Sequence, residues 1–216
     1  MPRRSRDFRG LTQPRRMQLL QAIQRGPGRR VNELAEECGI PLNTARDHLR
    51  VLEDEGLIRS EQVQVGTRGR PPIVFHAVSD ADTSTAADAR VAGARMRGRM
   101  LRAITGGTGL DVAAEQQLDV LYEHLDDAGL EPDVDERKLS FDLAPCRYHD
   151  MIDEDQALVC GVHARLVADV LRQTEGPLRV EVLQPFVTAH QCRLQLSSEA
   201  SELPPLENRT GAQPGP

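Results

Sequence analysis

The side chains best suited to chemistry in this 216-residue chain are three cysteines of its second half, Cys146, Cys160 and Cys192. Two of them are followed three positions later by a histidine, in Cys146-Arg147-Tyr148-His149 and Cys160-Gly161-Val162-His163. Positions i and i+3 of a helix share a face, so Cys160 and His163 can point at one ion. Thiolates are favoured ligands of iron–sulfur clusters and of zinc. Free cysteines also serve as small core residues, and spacing alone leaves that reading open. Cys38 falls on the inward face of a predicted helix and reads as core packing, while His76, His124 and His190 receive no role. The chain carries no nucleophile-elbow, zinc-protease or dinucleotide motif. Gly106-Gly107-Thr108-Gly109 is no phosphate loop, because no strand precedes it and no Gly-Lys-Ser/Thr follows. A non-enzyme is expected.

The elements that precede these cysteines have their own chemistry. A first helix is predicted from about Gln13 to Gln24, with Pro14 at a first helical position and Gly26-Pro27-Gly28 as its stop. A second starts near Asn32 as cap, turns Leu34, Ala35 and Cys38 inward and ends at Gly39. A third, after only Ile40-Pro41-Leu42, has Leu42, Ala45, Leu49 and Leu52 on its core face. Asn43, Thr44, Arg46, His48 and Arg50 are then left to solvent, on a helix suited to the major groove. Two strands follow, Leu57 to Val65 and Pro72 to Val78. The tip between them, Gly66-Thr67-Arg68-Gly69-Arg70-Pro71, offers Arg68 and Arg70 to phosphates or the minor groove.

Beyond Asp80, a Ser-, Thr-, Asp- and Ala-rich stretch leads into a helix to about Ile104 with Arg90, Arg95, Arg97, Arg99 and Arg102. Val91, Ala94, Leu101 and Ile104 form its narrow apolar seam, which reads as a dimer helix or as a helix packed on its own chain. Asp111 is expected to cap a helix with Leu118, Leu121, Tyr122 and Leu125 inward, stopped by Gly129. A strand from Lys138 to Leu143, a helix from about Gln156 to Gln173 and strands Leu178–Leu183 and Gln191–Leu196 complete the unit. The proline-bearing tail from Glu199 to Pro216 has no core-forming pattern and is expected to be disordered. The fold class is therefore α+β: a winged helix-turn-helix over 1–80, an arginine-rich linker helix over 81–110, and an α+β sensor domain over 111–198, before the tail at 199–216.

Charge divides along the same line. Residues 1–110 carry 19 arginines and 12 acidic residues, a net of +7; residues 111–216 carry 8 basic and 21 acidic residues, a net of −13. A basic half joined to an acidic one points to a polyanion at one end. The composition is that of a soluble protein, 39% hydrophobic and 28% charged. No apolar run approaches the ~20 residues of a spanning helix. Four irregularly spaced cysteines do not form a disulfide framework, so a reducing cytoplasm is the expected compartment.

Ala45-Arg46-Asp47-His48-Leu49-Arg50-Val51-Leu52-Glu53-Asp54-Glu55-Gly56-Leu57-Ile58, followed by Gly69-Arg70-Pro71, resembles bacterial winged-helix regulators of the arsenic-repressor-like superfamily. Phe141-Asp142-Leu143-Ala144-Pro145-Cys146, Leu158-Val159-Cys160-Gly161-Val162-His163 and Cys192-Arg193-Leu194-Gln195-Leu196 resemble the C-terminal domain of SufR-like regulators. These are winged-helix repressors of iron–sulfur cluster assembly genes, and together the two resemblances span about residues 10–197. They imply a homodimeric repressor of a double-stranded DNA operator, with no membrane partner. Cys146, Cys160 and Cys192 would hold an iron–sulfur cluster, [4Fe–4S] ahead of [2Fe–2S]. A fourth cysteine near the C-terminus is absent, which leaves His163 first and His149 second as the remaining ligand. Zinc at the same residues, a small-molecule-responsive domain without metal, and an iron–sulfur redox protein with an incidental basic domain are the alternatives.

Overall fold

A computed structural model describes residues 11–198 apart from 12, 65–70, 107, 147 and 189, and without the side chains of His149 and Asp150. Arg68, Arg70 and the 199–216 tail thus lie outside the described residues. The N-terminal unit runs α1 (Pro14–Arg25), β1 (Arg29–Arg30), α2 (Val31–Glu37), α3 (Leu42–Asp54), β2 (Ile58–Gln62) and β3 (Ile73–Ala77). Its three strands pair antiparallel in the order β1-β3-β2. The periodicity of α3 works as expected at Ala45, Leu49 and Leu52, all buried. Leu42 does not: it is 38% exposed, at the first position of the helix, where the stripe runs out to solvent. Asn32 is not the cap of α2 either. Arg30 holds that position, and the Glu33 carboxylate accepts its backbone N–H at 2.7 Å, which satisfies the helix start from inside.

A single 3₁₀ turn, Ala81–Thr83, and the capping Ser84 lead into α4 (Thr85–Thr105). Gly56, just beyond α3, has φ 67°, and a Cβ there would lie 2.9 Å from the backbone N of Ala87. Glycine therefore both ends α3 and lets the start of α4 approach it. Next come α5 (Val112–Asp127), β4 (Pro132–Asp135), β5 (Ser140–Leu143), α6 (His149–Arg172), β6 (Leu178–Thr188) and β7 (Gln191–Ser198). The second sheet is antiparallel, in the order β4-β5-β7-β6. Asp111 caps α5 as expected, accepting from the Ala114 N–H at 2.8 Å. Leu118, Leu121 and Leu125 are buried, but Tyr122 is 42% exposed, at the edge of the stripe.

Helix α6 begins seven residues ahead of the expected Gln156. It is broken at Asp155 (φ −155°, ψ 82°), whose carboxylate accepts the Leu158 N–H at 2.9 Å and caps the second segment. The sequence pattern detects only that second segment, since an aspartate cap is its clearest start signal.

The two units share one hydrophobic core rather than meeting at a hinge. Helix α1 packs along α6, where the Gln24 amide donates to the Val162 carbonyl at 3.4 Å. Near the C-terminal end of α6, the Gln173 amide donates to Val78 O at 2.9 Å and its carbonyl accepts from Arg90 at 3.1 Å. Arg90 also donates to the carbonyl of Glu55, the C-cap of α3, at 3.2 Å. Buried Gln117 joins α5 to α6 and β6: it donates to Leu171 O (3.0 Å) and Leu178 O (3.2 Å) and accepts from Leu178 N (2.7 Å).

The arginine-rich helix is held to its own chain on one side. Arg102 bonds both carboxylate oxygens of Asp119, at 2.8 and 2.6 Å, and Arg97 Nε donates to Glu123 at 3.0 Å. Val91 and Ala94 are buried there, and Gly98 lies so close to the Asp119 carboxylate that no Cβ fits. Leu101 and Ile104, expected in the same seam, are 61% and 85% exposed and face outward with Met96 and Met100. Among the described residues, no helix is long and apolar enough to cross a membrane.

Candidate functional site

Cys146, Cys160, Cys192 and His163 line one small pocket of the C-terminal unit, walled by Leu130, Leu143, Ile152, Val159 and Leu183. Three elements far apart in sequence converge there. Cys146 follows β5, Cys192 stands on β7 opposite Leu143, and the Cys146 N–H donates to the His190 carbonyl at 3.2 Å. Cys160 and His163 lie on the second segment of α6, one turn apart, as their spacing predicts. Tyr148 meets the His163 ring edge-on, with centroids 6.3 Å apart. All four cysteines are free thiols, partly buried. His149, the second candidate ligand, is the first residue of α6, and its side chain lies outside the described residues.

The electrostatics of the pocket suit a ligand set. The Cys146 thiol donates a hydrogen bond to Cys192, which brings Cys192 down to about 6. The same contact, with burial, pushes Cys146 far upward. Burial raises Cys160 and lowers His163 to about 4, so at neutral pH the imidazole is uncharged. Its Nε2 is buried and has no hydrogen-bond partner among the described residues. A buried, neutral ring nitrogen without a partner is a costly arrangement unless something binds it. A thiolate, two further thiols and this nitrogen form a Cys₃His donor set, and a bound cation would lower the remaining thiols in turn. The residues present therefore fit a cluster or a zinc ion. Among the described residues, however, no three of these groups already stand in metal-ligating geometry, so binding would require them to draw together.

The second surface is the outer face of α3. Asn43, Arg46 and Arg50 are exposed, and Thr44 and His48 are half-buried. Arg46 donates to the Asn43 side chain at 2.9 Å, so the pair is ordered on the free surface. His48 is less available than its position suggested: burial and then the nearby Arg16 charge lower its pKa. Glu53 binds the backbone N–H and the hydroxyl of Ser60, at 2.9 and 2.6 Å, and so fixes the helix to the first wing strand. Cys38, expected in the core, packs against its edge at the end of α2 and does not line the pocket of the other three thiols.

Sequence reasoning missed Tyr148, the Cys146–Cys192 contact and Gln24. The contact arises from the pairing of β5 with β7, whose register no local sequence pattern specifies. No curated protein and no solved structure matches this chain. A family model described as a helix-turn-helix domain does match, over residues 11–61, which covers α1 through most of β2. With the α3 face and the β2–β3 hairpin beside it, the N-terminal unit is a winged helix-turn-helix of the kind DNA-binding transcription regulators carry.

Proposed function

We propose that the protein is a homodimeric transcription repressor whose C-terminal unit binds an iron–sulfur cluster and reports its state to the DNA-binding half. Helix α3, with the wing arginines Arg68 and Arg70, would read a two-fold-symmetric operator. Cys146, Cys160 and Cys192 would hold the cluster, a [4Fe–4S] form ahead of [2Fe–2S], with His163 as the fourth ligand. The observation that carries the reading is the convergence on one pocket, from β5, α6 and β7, of three thiols and an imidazole whose Nε2 has no hydrogen-bond partner among the described residues.

When bound, the cluster supplies an oxidant-labile tie between that sheet and α6. The rest is done by the chain. A shift of α6 would act on α1 through their shared face and through Gln24. It would act on the recognition helix through Gln173, Arg90 and Glu55. Dimerisation has its surface in Met96, Met100, Leu101 and Ile104, four large apolar side chains exposed on one helix.

The test is the visible spectrum of anaerobically purified protein. Brown protein with iron and sulfide supports the reading; colourless protein containing zinc favours a closed structural site at the same residues. Cys146→Ser, Cys160→Ser and Cys192→Ser should each bleach the absorbance and Cys38→Ser should not. His163→Ala should give an intermediate loss, because water can replace a neutral ligand. Equal operator affinity with and without the cluster, at one salt concentration, would defeat the sensor role.

A further inference from the structure

We propose that Cys146 and Cys192 are a reversible dithiol–disulfide pair: in the metal-free protein a peroxide joins them within one chain and leaves Cys160 and Cys38 reduced. The ground is geometry. Leu143 and Cys192 face each other across β5 and β7, and three residues later the Cys146 N–H binds the carbonyl of His190. The chain leaving β5 therefore stays beside β7, and both thiols line the same small pocket, close enough to act as hydrogen-bond partners. A disulfide needs its two Cβ atoms about 3.5–4.5 Å apart, and side chains already in thiol contact can reach this with small rotations.

Neither other cysteine is so placed. Cys160 comes to the same pocket from α6, on a different element from the paired strands. Cys38 sits at the end of α2, in the other unit, beside Glu37, Arg29 and Arg15. Both pocket thiols are partly exposed, so a molecule as small as hydrogen peroxide has access.

The chemistry balances with peroxide as the oxidant. One sulfur attacks the peroxide: an S–O bond forms, the O–O bond breaks, one water leaves, and that sulfur is oxidised to a sulfenic acid. The second thiol then attacks this sulfur. The S–S bond forms, the S–O bond breaks, and the hydroxyl departs as water with the thiol's proton. Two electrons pass from the pair to peroxide, and a dithiol reductant returns them. The product removes two of the pocket's four donors at once. The oxidised protein is thereby closed to metal until it is reduced, which makes oxidation a latch rather than a transient loss.

The pair needs no cluster to react, so the test separates it from the proposed function. Chelator-treated full-length protein is given one equivalent of hydrogen peroxide, alkylated and mapped by mass spectrometry. The expected result is a species lighter by two hydrogens, with the Cys146 and Cys192 peptides joined, Cys38 and Cys160 alkylated, and full reversal by dithiothreitol. Cys160→Ser should keep the link. Cys146→Ser should abolish it and leave a sulfenic acid on Cys192 that dimedone traps. Cobalt(II), used as a coloured probe, should give thiolate charge-transfer absorbance with the reduced protein and lose it with the oxidised one. A link through Cys160, a link between chains, or oxidation without any link overturns the proposal. Colourless, iron-free protein that still forms the link would overturn the cluster reading alone.

Discussion

Arg46 is the residue on which base reading rests most directly. Its guanidinium is held by Asn43 at 2.9 Å on an otherwise open face, so less side-chain freedom is lost when it meets a guanine edge. Arg46→Ala should weaken operator binding by about 1–3 kcal/mol and relax the base preference while leaving non-specific DNA binding almost unchanged. Fluorescence anisotropy with operator and scrambled duplexes, at one salt concentration, checks this. Asp127, at the end of α5, shows what burial does to an acid. Desolvation, with Glu123 nearby, raises its carboxyl to about 6. Its neutral form is the one the fold favours, so its stabilising contribution is present at low pH and is lost as pH rises through about 6. Asp127→Asn should thus raise stability by about 1 kcal/mol near pH 7.5, after allowance for solvent screening, and make no difference near pH 4. Urea denaturation at the two pH values decides it.

At the scale of elements, α6 is the shared member. Its second segment carries Cys160 and His163, its flank lies against α1, and its C-terminal end reaches Val78 and Arg90 through Gln173. Gln173→Ala should leave the visible absorbance intact and bring the operator affinities of cluster-loaded and stripped protein together. An undiminished difference between them would place the coupling in α1 alone. Glutamines explain much of what could not be read from sequence. Gln24, Gln117 and Gln173 join elements up to 138 residues apart, yet an isolated glutamine has no periodicity and no motif. Long, patterned elements were legible: the inner face of α3, the Asp111 cap, the pairing of Cys160 with His163. The two-residue β1 and the four-residue β4 were not, because so short a strand has no alternation to detect. Leu42, Tyr122, Leu101 and Ile104 fit the inward spacing yet are exposed, since spacing defines a stripe but not where its edge meets solvent.

For the whole molecule, the charge division between halves is legible in the sequence, but the way the linker helix resolves it is not. The arginines that α4 contributes to the basic half are partly taken up by Asp119 and Glu123 of the acidic half. What α4 leaves outward is largely apolar, although Arg99 is exposed as well; in the proposed dimer a second copy would cover this face and set the recognition helices about 34 Å apart. Sedimentation should give a dimer. Met100→Glu with Ile104→Glu should give a folded monomer with weakened operator binding and unchanged circular dichroism. A monomer in the unaltered protein, free and on DNA, rejects this assembly.

The packing of α1 on α6 also bears on how such a chain can change over time. Winged helices are often treated as cassettes, separable from the effector module that follows. Here the first helix of the cassette is finished by a helix more than a hundred residues downstream: Ile23 and Gln24 line a cleft with Arg165 and Ala168. A crossover near residue 80 would give the incoming module an α1 shaped for a different neighbour. Effector exchange in this architecture is therefore not free; it must carry compensating changes back into the outer face of α1, and the two halves are bound to diverge together.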